Sequence, residues 1–298
     1  MFNHKYCNIF ALVEPQILPN MKKILFYIPL FIIQISFAQE SQEPPRWVKK
    51  GIVTFLVNQS AFDNWIAGGT SNFSGTIGIN FDLNYQKNDW TWDNKLLANF
   101  GLTKIKNQDV QKSSDILEWN SVVGKKASND WYYSAFLNFK TQFAGDLNGE
   151  REDLTKFFSP AYIQFGPGML WKKSDNLKVN IAPLTSRFII VDSSLTLANN
   201  AYFGVEQGKS SRYELGGAIG VYYKFDVMKN ISVENILNLY SNYLEDPQNV
   251  DLDHTLNLVM TVNKFISANL TYQSIYDDNA FKGLQTRQIF GVGVNYKF

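Results

Sequence analysis

The residues best suited to chemistry in this sequence are few, and the first is a histidine close to two aspartates. The chain has two histidines, and His254 is the one that follows Asp251 and Asp253. A Ser-His-Asp hydrolase would hold a serine against that imidazole, and no serine motif accompanies His254. A lipid-directed barrel hydrolase therefore ranks behind a simpler interpretation, a histidine near the extracellular interface.

A second candidate is an oxygen-rich segment that could hold calcium. Its weak metal-ligand candidates are Asp146, Asn148, Glu150 and Asp153. Gly149 does not fall at the sixth place of an EF-hand loop, so solvated loop charges are the simpler interpretation. Glu245-Asp246 and Asp277-Asp278 are expected in other loops on the same side, where they could bind cations that bridge lipopolysaccharide phosphates. The sequence has no metal-spaced His/Cys cluster and no phosphate-cradling glycine loop, and it predicts no cofactor.

The more informative charges alternate with apolar residues along predicted strands. Strand alternation sends neighbouring side chains to opposite faces, so these charges are expected to face the lumen of a barrel. The lumen candidates are Asp82, Asp93, Lys95, Glu118, Lys140, Arg212, Glu214, Lys224 and Glu234. Their mixed signs favour a paired, narrow interior over an open water path.

Long amphipathic strands must position these charges, and the clearest lies between Phe73 and Tyr85. Apolar residues there take the odd positions, except for Gly75, and polar residues take the even ones. The next strand, to Leu102, repeats the pattern less regularly. Strands of this length exceed the usual five or six residues or so and suit a transmembrane hairpin with its apolar side toward lipid.

The remaining chain predicts an all-β fold, an antiparallel transmembrane β-barrel of about 12 strands with short periplasmic turns and long extracellular loops. The even-numbered strands end in turns rich in Asn, Asp, Ser and Lys. Long connections follow the odd-numbered strands at 60–72, 104–113, 145–160, 192–211, 244–249 and 277–285. The first of these contains Asn64, Trp65, Gly68 and Gly69, whose role the sequence does not reveal. Pro167 and Pro183 predict bulges or weak points in their strands, because proline lacks a donor for the strand ladder.

Aromatic side chains cluster beside the predicted short turns and the C-terminus. They are Trp90, Trp92, Trp131, Tyr133, Trp171 and Tyr296. Tryptophan and tyrosine prefer the membrane–water interface, whereas the core of a soluble sandwich would distribute them along the strands.

Composition and targeting agree with an outer-membrane location. Mean hydropathy is −0.20 although 15% of the residues are aromatic, as expected of a barrel whose apolar residues alternate with polar ones. Residues 21–38 read as a signal peptide, with Lys22-Lys23, an apolar run and a Ser36-Phe37-Ala38 cleavage site. Residues 1–20 are expected to be an over-extended start, 39–50 a periplasmic lead-in and 51–298 the barrel. The near-neutral charge of +1 gives no reason to expect nucleic acid.

The chain also carries motifs that are familiar as a set. They are Asn64-Trp65 with Gly68-Gly69, Trp90-Thr91-Trp92-Asp93-Asn94, Trp131-Tyr132-Tyr133, Ser159-Pro160-Ala161-Tyr162, Ser241-Asn242-Tyr243-Leu244 and Ile275-Tyr276-Asp277-Asp278. Together they resemble the domain-of-unknown-function 3078 family of Bacteroidota. The resemblance implies an outer-membrane barrel and brings no established activity. Phe298 resembles the C-terminal signal that the barrel-assembly machinery recognises.

Three functions follow as hypotheses, in descending order. The first is a monomeric barrel that acts as a narrow channel or small-solute transport protein. The second is a non-conducting structural or adhesive barrel that displays its loops, and the third is the hydrolase that uses His254. The expected partners are outer-membrane lipid and lipopolysaccharide, without nucleic acid.

Overall fold

The computed structural model describes residues 46–62, 70–145, 155–199 and 201–298. The predicted signal peptide, the segment with Asn64, Trp65, Gly68 and Gly69, and the calcium candidates Asp146, Asn148, Glu150 and Asp153 lie outside the described residues. Among the residues that are described, no helix has the length and apolarity that a membrane span requires.

Twelve antiparallel strands form one closed barrel, which confirms the predicted fold class. They are β1 (Trp47–Ser60), β2 (Asn72–Lys87), β3 (Trp90–Ile105), β4 (Val110–Ser128), β5 (Trp131–Thr141), β6 (Ala161–Ser174), β7 (Leu177–Ile190), β8 (Ser211–Met228), β9 (Ile231–Asn242), β10 (Val250–Thr261), β11 (Ile266–Asp277) and β12 (Phe281–Lys297). Each strand pairs with its neighbours in sequence. The seam that closes the barrel joins Ile52–Val57 of β1 to Val292–Lys297 of β12.

Two of the predicted long connections are wrong in length. β3 and β4 are separated only by residues 106–109, and β11 and β12 only by residues 278–280. Register shifts lie beside both turns, at Gly101/Leu102 and at Ile275/Asp277. A bulge interrupts period-two alternation, and so it hid the outer ends of these strands from the sequence pattern. β1 also begins at Trp47, before the predicted Gly51, because Trp47–Lys50 pair with β2.

The predicted bulges at Pro167 and Pro183 are confirmed. The β6–β7 register shifts between Phe165 and Met169, and the β7–β8 register shifts between Ala182 and Thr185. A Cβ atom at Gly166 would collide with the backbone oxygen of Leu184. Glycine is therefore required where these two irregular strands approach each other.

The barrel is apolar outside and polar inside. Large apolar side chains are exposed on the outer wall, including Phe55, Ile77, Phe165, Phe290 and Val294. Among the described residues, buried charged groups instead include Asp93, Lys172, Arg187, Glu214 and Glu234. A closed barrel leaves no strand backbone unsatisfied in lipid, and this distribution of side chains matches the lipid and lumen faces of outer-membrane barrels. The protein is an outer-membrane β-barrel.

The β7–β8 connection packs at the long-loop end of the barrel. Its helix α1 (Ser193–Asn199) brings Leu195 against Ile189, Val191 and Val205, all nearly inaccessible to solvent. Hydrogen bonds from the hydroxyl and backbone N–H of Ser194 lower the pKa of the Asp192 carboxyl. The ionised Asp192 thus caps the start of α1.

Candidate functional site

Contacts between non-neighbouring strands identify the lumen, because such contacts in a closed barrel cross its interior. Lys95 on β3 reaches Glu234 on β9, with 2.9 Å between Nζ and Oε1. The same ammonium lies 3.2 Å from Asp82 Oδ1 on β2. The Tyr222 hydroxyl also donates to Glu234 Oε1 at 2.8 Å. One lysine therefore ties opposite walls of the barrel together.

A second ion pair crosses the lumen beside the first, and we call these pairs cross-lumen ties. Lys140 on β5 pairs with Asp253 on β10. Gln273 donates to the other oxygen of Asp253 at 2.8 Å. Glu118 accepts hydrogen bonds from the amides of Asn120 and Asn138, at 2.8 and 3.3 Å. These charged and amide side chains form a layer across the barrel, which we call the Glu118–Lys140 layer. Its members are Glu118, Asn120, Asn138, Lys140, Asp253 and Gln273.

A third group lies toward the short-turn end. Lys172 and Lys178 each place Nζ 2.9 Å from a different oxygen of Asp93, which joins β3 to β6 and β7. Lys172 is also 3.1 Å from Asp175 in the β6–β7 turn. Burial alone would raise the pKa of Asp175, but the Lys172 ammonium holds it below its usual range. The Asp175 carboxylate is therefore ionised at neutral pH.

A fourth group lies toward the long loops and centres on Arg187. Its guanidinium pairs with Asp251 across the lumen and lies 3.4 Å from Glu214. It also lies 4.1 Å from the ring centroid of Tyr240, a cation–π contact. Arg212 approaches Glu214 from the other side, with 2.9 Å between Nε and Oε1.

Two cavities lie within the barrel. The cavity on the short-turn side measures about 190 Å³, and we call it the inner vestibule. Its lining includes Lys50, Asp82, Asp93, Lys95, Asn120, Val122, Phe136, Asn138, Leu170, Asp175, Lys178, Ala218, Tyr222, Lys224 and Ile236. The other cavity, about 320 Å³, is lined by residues that include Asp115, Lys140, Gln142, Tyr162, Gln273 and Arg287, and we call it the outer vestibule. Asn138 lines the first and Lys140 the second, so the Glu118–Lys140 layer lies where the two meet.

Comparison with known proteins adds one family assignment. Residues 57–146 match the model described as "Protein of unknown function (DUF3078)". This stretch is a DUF3078 region. The resemblance inferred from the sequence motifs is therefore confirmed for this part of the chain, and no curated protein matches.

Solved structures with a similar fold include outer-membrane channels. An outer membrane channel (COG4313) from Pseudomonas putida F1 shares 9% identity at a TM-score of 0.39, covering 88% of this chain and 99% of that one. The translocator domain of the autotransporter NalP from Neisseria meningitidis shares 10% at 0.34, covering 86% and 90%. The channel DcaP of Acinetobacter baumannii shares 10% at 0.31, covering 85% and 97%. Such low values carry no functional inference.

Three of the four cross-lumen groups join the DUF3078 region to the rest of the chain. Asp82, Asp93, Lys95, Glu118 and Lys140 lie within the region. Asp93, Lys95 and Lys140 have partners on β6, β7, β9 and β10 outside it, and the Arg187 group lies wholly outside it. Of the other lumen candidates, Arg212 and Glu214 contact each other near the loops, and Lys224 lines the inner vestibule.

Several lumen charges were missed by the sequence analysis. They are Lys172, Lys178, Arg187, Asp251, Asp253 and Arg287. The parity of Leu177, Val179 and Ile181 would have placed Lys178 inside. Arg187 carried no such signal, because the bulge after Ala182 shifts the alternation before it is reached.

The predicted interface aromatics face outward beside the short turns. Trp90, Trp131, Tyr133 and Tyr296 are 49%, 40%, 65% and 68% exposed. Trp92 is 41% exposed and donates its indole N–H to Ser121 Oγ at 2.8 Å, while Trp171 is half-buried. Phe298 extends the seam, since its carbonyl accepts from the Gly51 N–H at 2.8 Å. Its role as an assembly signal stays a prediction.

His254 shares its face of β10 with Leu252 and Leu256, opposite to the face of Asp251 and Asp253. Its Nε2 lies 3.4 Å from Asn235 Oδ1. Ser274 is directly opposite in register but only 9% exposed. Within the described ranges, no hydrogen bond joins Ser274 to His254, so the pair lacks the serine–base contact that a nucleophilic hydrolase needs.

We therefore expect His254→Ala to leave phospholipid turnover by the detergent-solubilised protein at the background level of the unsubstituted chain. The measurement is fatty-acid release from mixed micelles, with Asn235→Ala as a second variant. A loss of measurable turnover in His254→Ala, with unchanged folding, would instead establish the hydrolase.

The loop acids are partly brought together. Carboxylate oxygens of Asp251, Asp277 and Asp278 lie within 4.8 Å of one another. Each already has a protein partner, because Asp251 pairs with Arg187, Asp277 accepts the Asn279 and Ala280 N–H groups, and Asp278 accepts from Asn249.

Proposed function

We propose that this protein is a narrow outer-membrane channel or small-solute transport protein. The observation that carries the proposal is the pair of vestibules, which approach the Glu118–Lys140 layer from the two ends of the barrel. A barrel built only as an inert anchor gains nothing from leaving space on both sides of a polar layer. A barrel of twelve strands is also intermediate in diameter between eight-stranded barrels, whose interior is filled, and porins with about sixteen strands.

The cross-lumen ties make the path narrow and charge-balanced. Lys140 with Asp253 holds opposite walls together where the vestibules meet, and Lys95 with Glu234 does so at the inner vestibule. Rings and pairs of charged side chains set the selectivity of pores. A solute would pass by displacing or skirting these pairs, so the proposal predicts small conductance steps with modest charge selectivity.

The test is single-channel conductance of protein extracted from the outer membrane and inserted into planar bilayers. Salt-dependent steps are expected, and Asp82→Asn or Glu118→Gln should shift the reversal potential in a salt gradient toward anion preference, because each removes a negative lumen charge. Lys140→Gln should shift it toward cations. Lys173→Gln is the control, since this lysine is 62% exposed and pairs with Asp130 beside a short turn.

A folded barrel that never conducts would contradict the channel. The second candidate, a barrel that displays its loops, would then be favoured by the folded cap of α1, Val191, Leu195 and Val205 at the long-loop end. That cap is a small apolar core, which loops serving only as linkers have no need to form.

Partners belong to the same proposal. We propose that the barrel is monomeric, that its interface aromatics and loop acids contact outer-membrane lipid and lipopolysaccharide, and that the barrel-assembly machinery recognises Phe298.

A further inference from the structure

We infer that the inner vestibule is a binding site for a small organic anion that has an apolar body. The inference deepens the proposed channel function by naming a solute class, and it rests on that function only for the idea that the bound solute is transported. The binding site itself stands on the chemistry of the vestibule walls.

The lining of the inner vestibule includes two patches with apolar surface. Val122 and Phe136 are direct cross-strand partners on β4 and β5, and Ile236 pairs with Tyr222 on β9 and β8. All four line the vestibule and are partly exposed. The lumen face of a water-filled barrel is ordinarily polar, and apolar surface facing bulk water has no energetic benefit. These patches are suited to cover the apolar part of a ligand.

The charged residues of the lining carry a positive excess. Lys95 and Lys178 are committed to Asp82, Glu234 and Asp93. Lys50 and Lys224 also line the vestibule, and among the described residues neither forms an ion pair within 4.0 Å.

The surrounding charges do not cancel this excess. Asp82 lies opposite Lys50 in register, and Glu234 lies opposite Lys224, but both carboxylates already bind Lys95. Among the described residues that line the vestibule or form an ion pair with its lining, the five ammonium groups belong to Lys50, Lys95, Lys172, Lys178 and Lys224, and the four carboxylates to Asp82, Asp93, Asp175 and Glu234. A single negative charge on the ligand would complete the balance.

The remaining polar lining suits a carboxylate. Seven asparagines line the vestibule. Among them, Asn84 lies on the strand next to that of Lys50, and Asn238 on the strand next to that of Lys224. Asparagine amides donate hydrogen bonds that a carboxylate accepts. The volume of about 190 Å³ is below the roughly 300–1,000 Å³ of pockets for drug-sized molecules. The ligand class is therefore a small monocarboxylate with a compact apolar body.

The test is equilibrium dialysis of benzoate against the full-length barrel in detergent, at neutral pH. Benzamide keeps the apolar ring without the charge, and acetate keeps the charge without the ring. We expect benzoate to bind at least about tenfold more tightly than either analogue, because benzamide lacks the charge that the lysines bind and acetate lacks the apolar body that the apolar lining covers.

Variants locate the site. Lys50→Gln/Lys224→Gln should weaken benzoate binding at least about tenfold while leaving benzamide unchanged, and Phe136→Ser should weaken benzoate and benzamide alike. Lys229→Gln, in the exposed β8–β9 turn, is the matched control and should bind as the unsubstituted protein does. Circular dichroism and resistance to denaturation in detergent confirm that each variant is folded.

Equal binding of benzoate and benzamide, equal binding of benzoate and acetate, or unchanged benzoate binding in the folded double-lysine variant would each overturn the site. Dialysis does not require conduction. A barrel that binds benzoate but never conducts would therefore remove the channel and keep the site, whereas one that conducts but ignores benzoate would do the reverse.

Discussion

Arg187→Met is expected to destabilise the barrel by about 3–5 kcal/mol, the range for removing one partner of a buried ion pair. The Arg187 side chain is 10% exposed and pairs with Asp251 and Glu214, which are 14% and 1% exposed. Methionine fills a similar volume but leaves two carboxylates with less compensation, and it loses the cation–π contact with Tyr240. The measurement is the urea midpoint in detergent, followed by tryptophan fluorescence.

The matched control is Lys173→Met, which breaks an exposed pair with Asp130 and should cost about 1 kcal/mol or less. Arg187→Lys should fall between the two, because a lysine keeps the charge and loses the planar fork. A loss below about 1 kcal/mol in Arg187→Met would mean that Arg212 alone compensates Glu214, or that the loop-end group is solvated.

Lys95→Met is expected to enlarge the conductance and to shift it toward cations. The substitution removes the ion pair between β3 and β9, takes one positive charge out of the lumen, and leaves Asp82 and Glu234 without the ammonium group that lies 3.2 and 2.9 Å from them. We expect the conductance step to rise about twofold or more, since charged constrictions control both passage and selectivity. The barrel should also lose about 3 kcal/mol of stability. The measurements are planar-bilayer recording and urea unfolding.

A double variant separates the tie from its charge. Lys95→Met/Glu234→Gln lacks the ion pair but has the same net lumen charge as the unsubstituted protein, so it should recover stability and lose cation preference while keeping the larger step. Lys156→Met is the control, because its pair with Asp192 is exposed and lies near α1 outside the lumen. Should the larger step vanish in the double variant, charge alone would control conductance and the tie would not narrow the path.

Much of the fold was predictable because the chain obeys one local rule over long distances. Period-two alternation in β2, β3, β5 and β8 specifies which side chains face lipid, and the Asn- and Asp-rich turns specify where each hairpin reverses. The prolines at 167 and 183 predicted irregularities that the register shifts confirm. These features depend on neighbours in sequence, which a sequence displays directly.

The sequence did not predict which charged side chains pair across the lumen, because these pairs join strands that are distant in sequence. Nothing local to Lys95 indicates that its carboxylate lies on β9, because that contact depends on the closure of the barrel. Bulges add a second obstacle, since the shift after Gly101 concealed the start of β4 and the shift after Ala182 concealed Arg187. The apolar lining formed by Val122, Phe136 and Ile236 was not predicted either. In a sequence, an apolar residue on the polar face of a strand looks like an interruption of the alternation.

The seam makes the barrel unequal around its circumference. On β1, the ladder with β12 spans only Ile52–Val57, whereas the ladder with β2 spans Trp47–Ser60. On β12, Phe281–Gly291 has a ladder only with β11 among the described residues. Unpaired strand edges are where sheets exchange or add strands. Since the β1–β12 ladder is short, we expect lateral opening of the wall, amide exchange and strand exchange to begin between the first strand and the last.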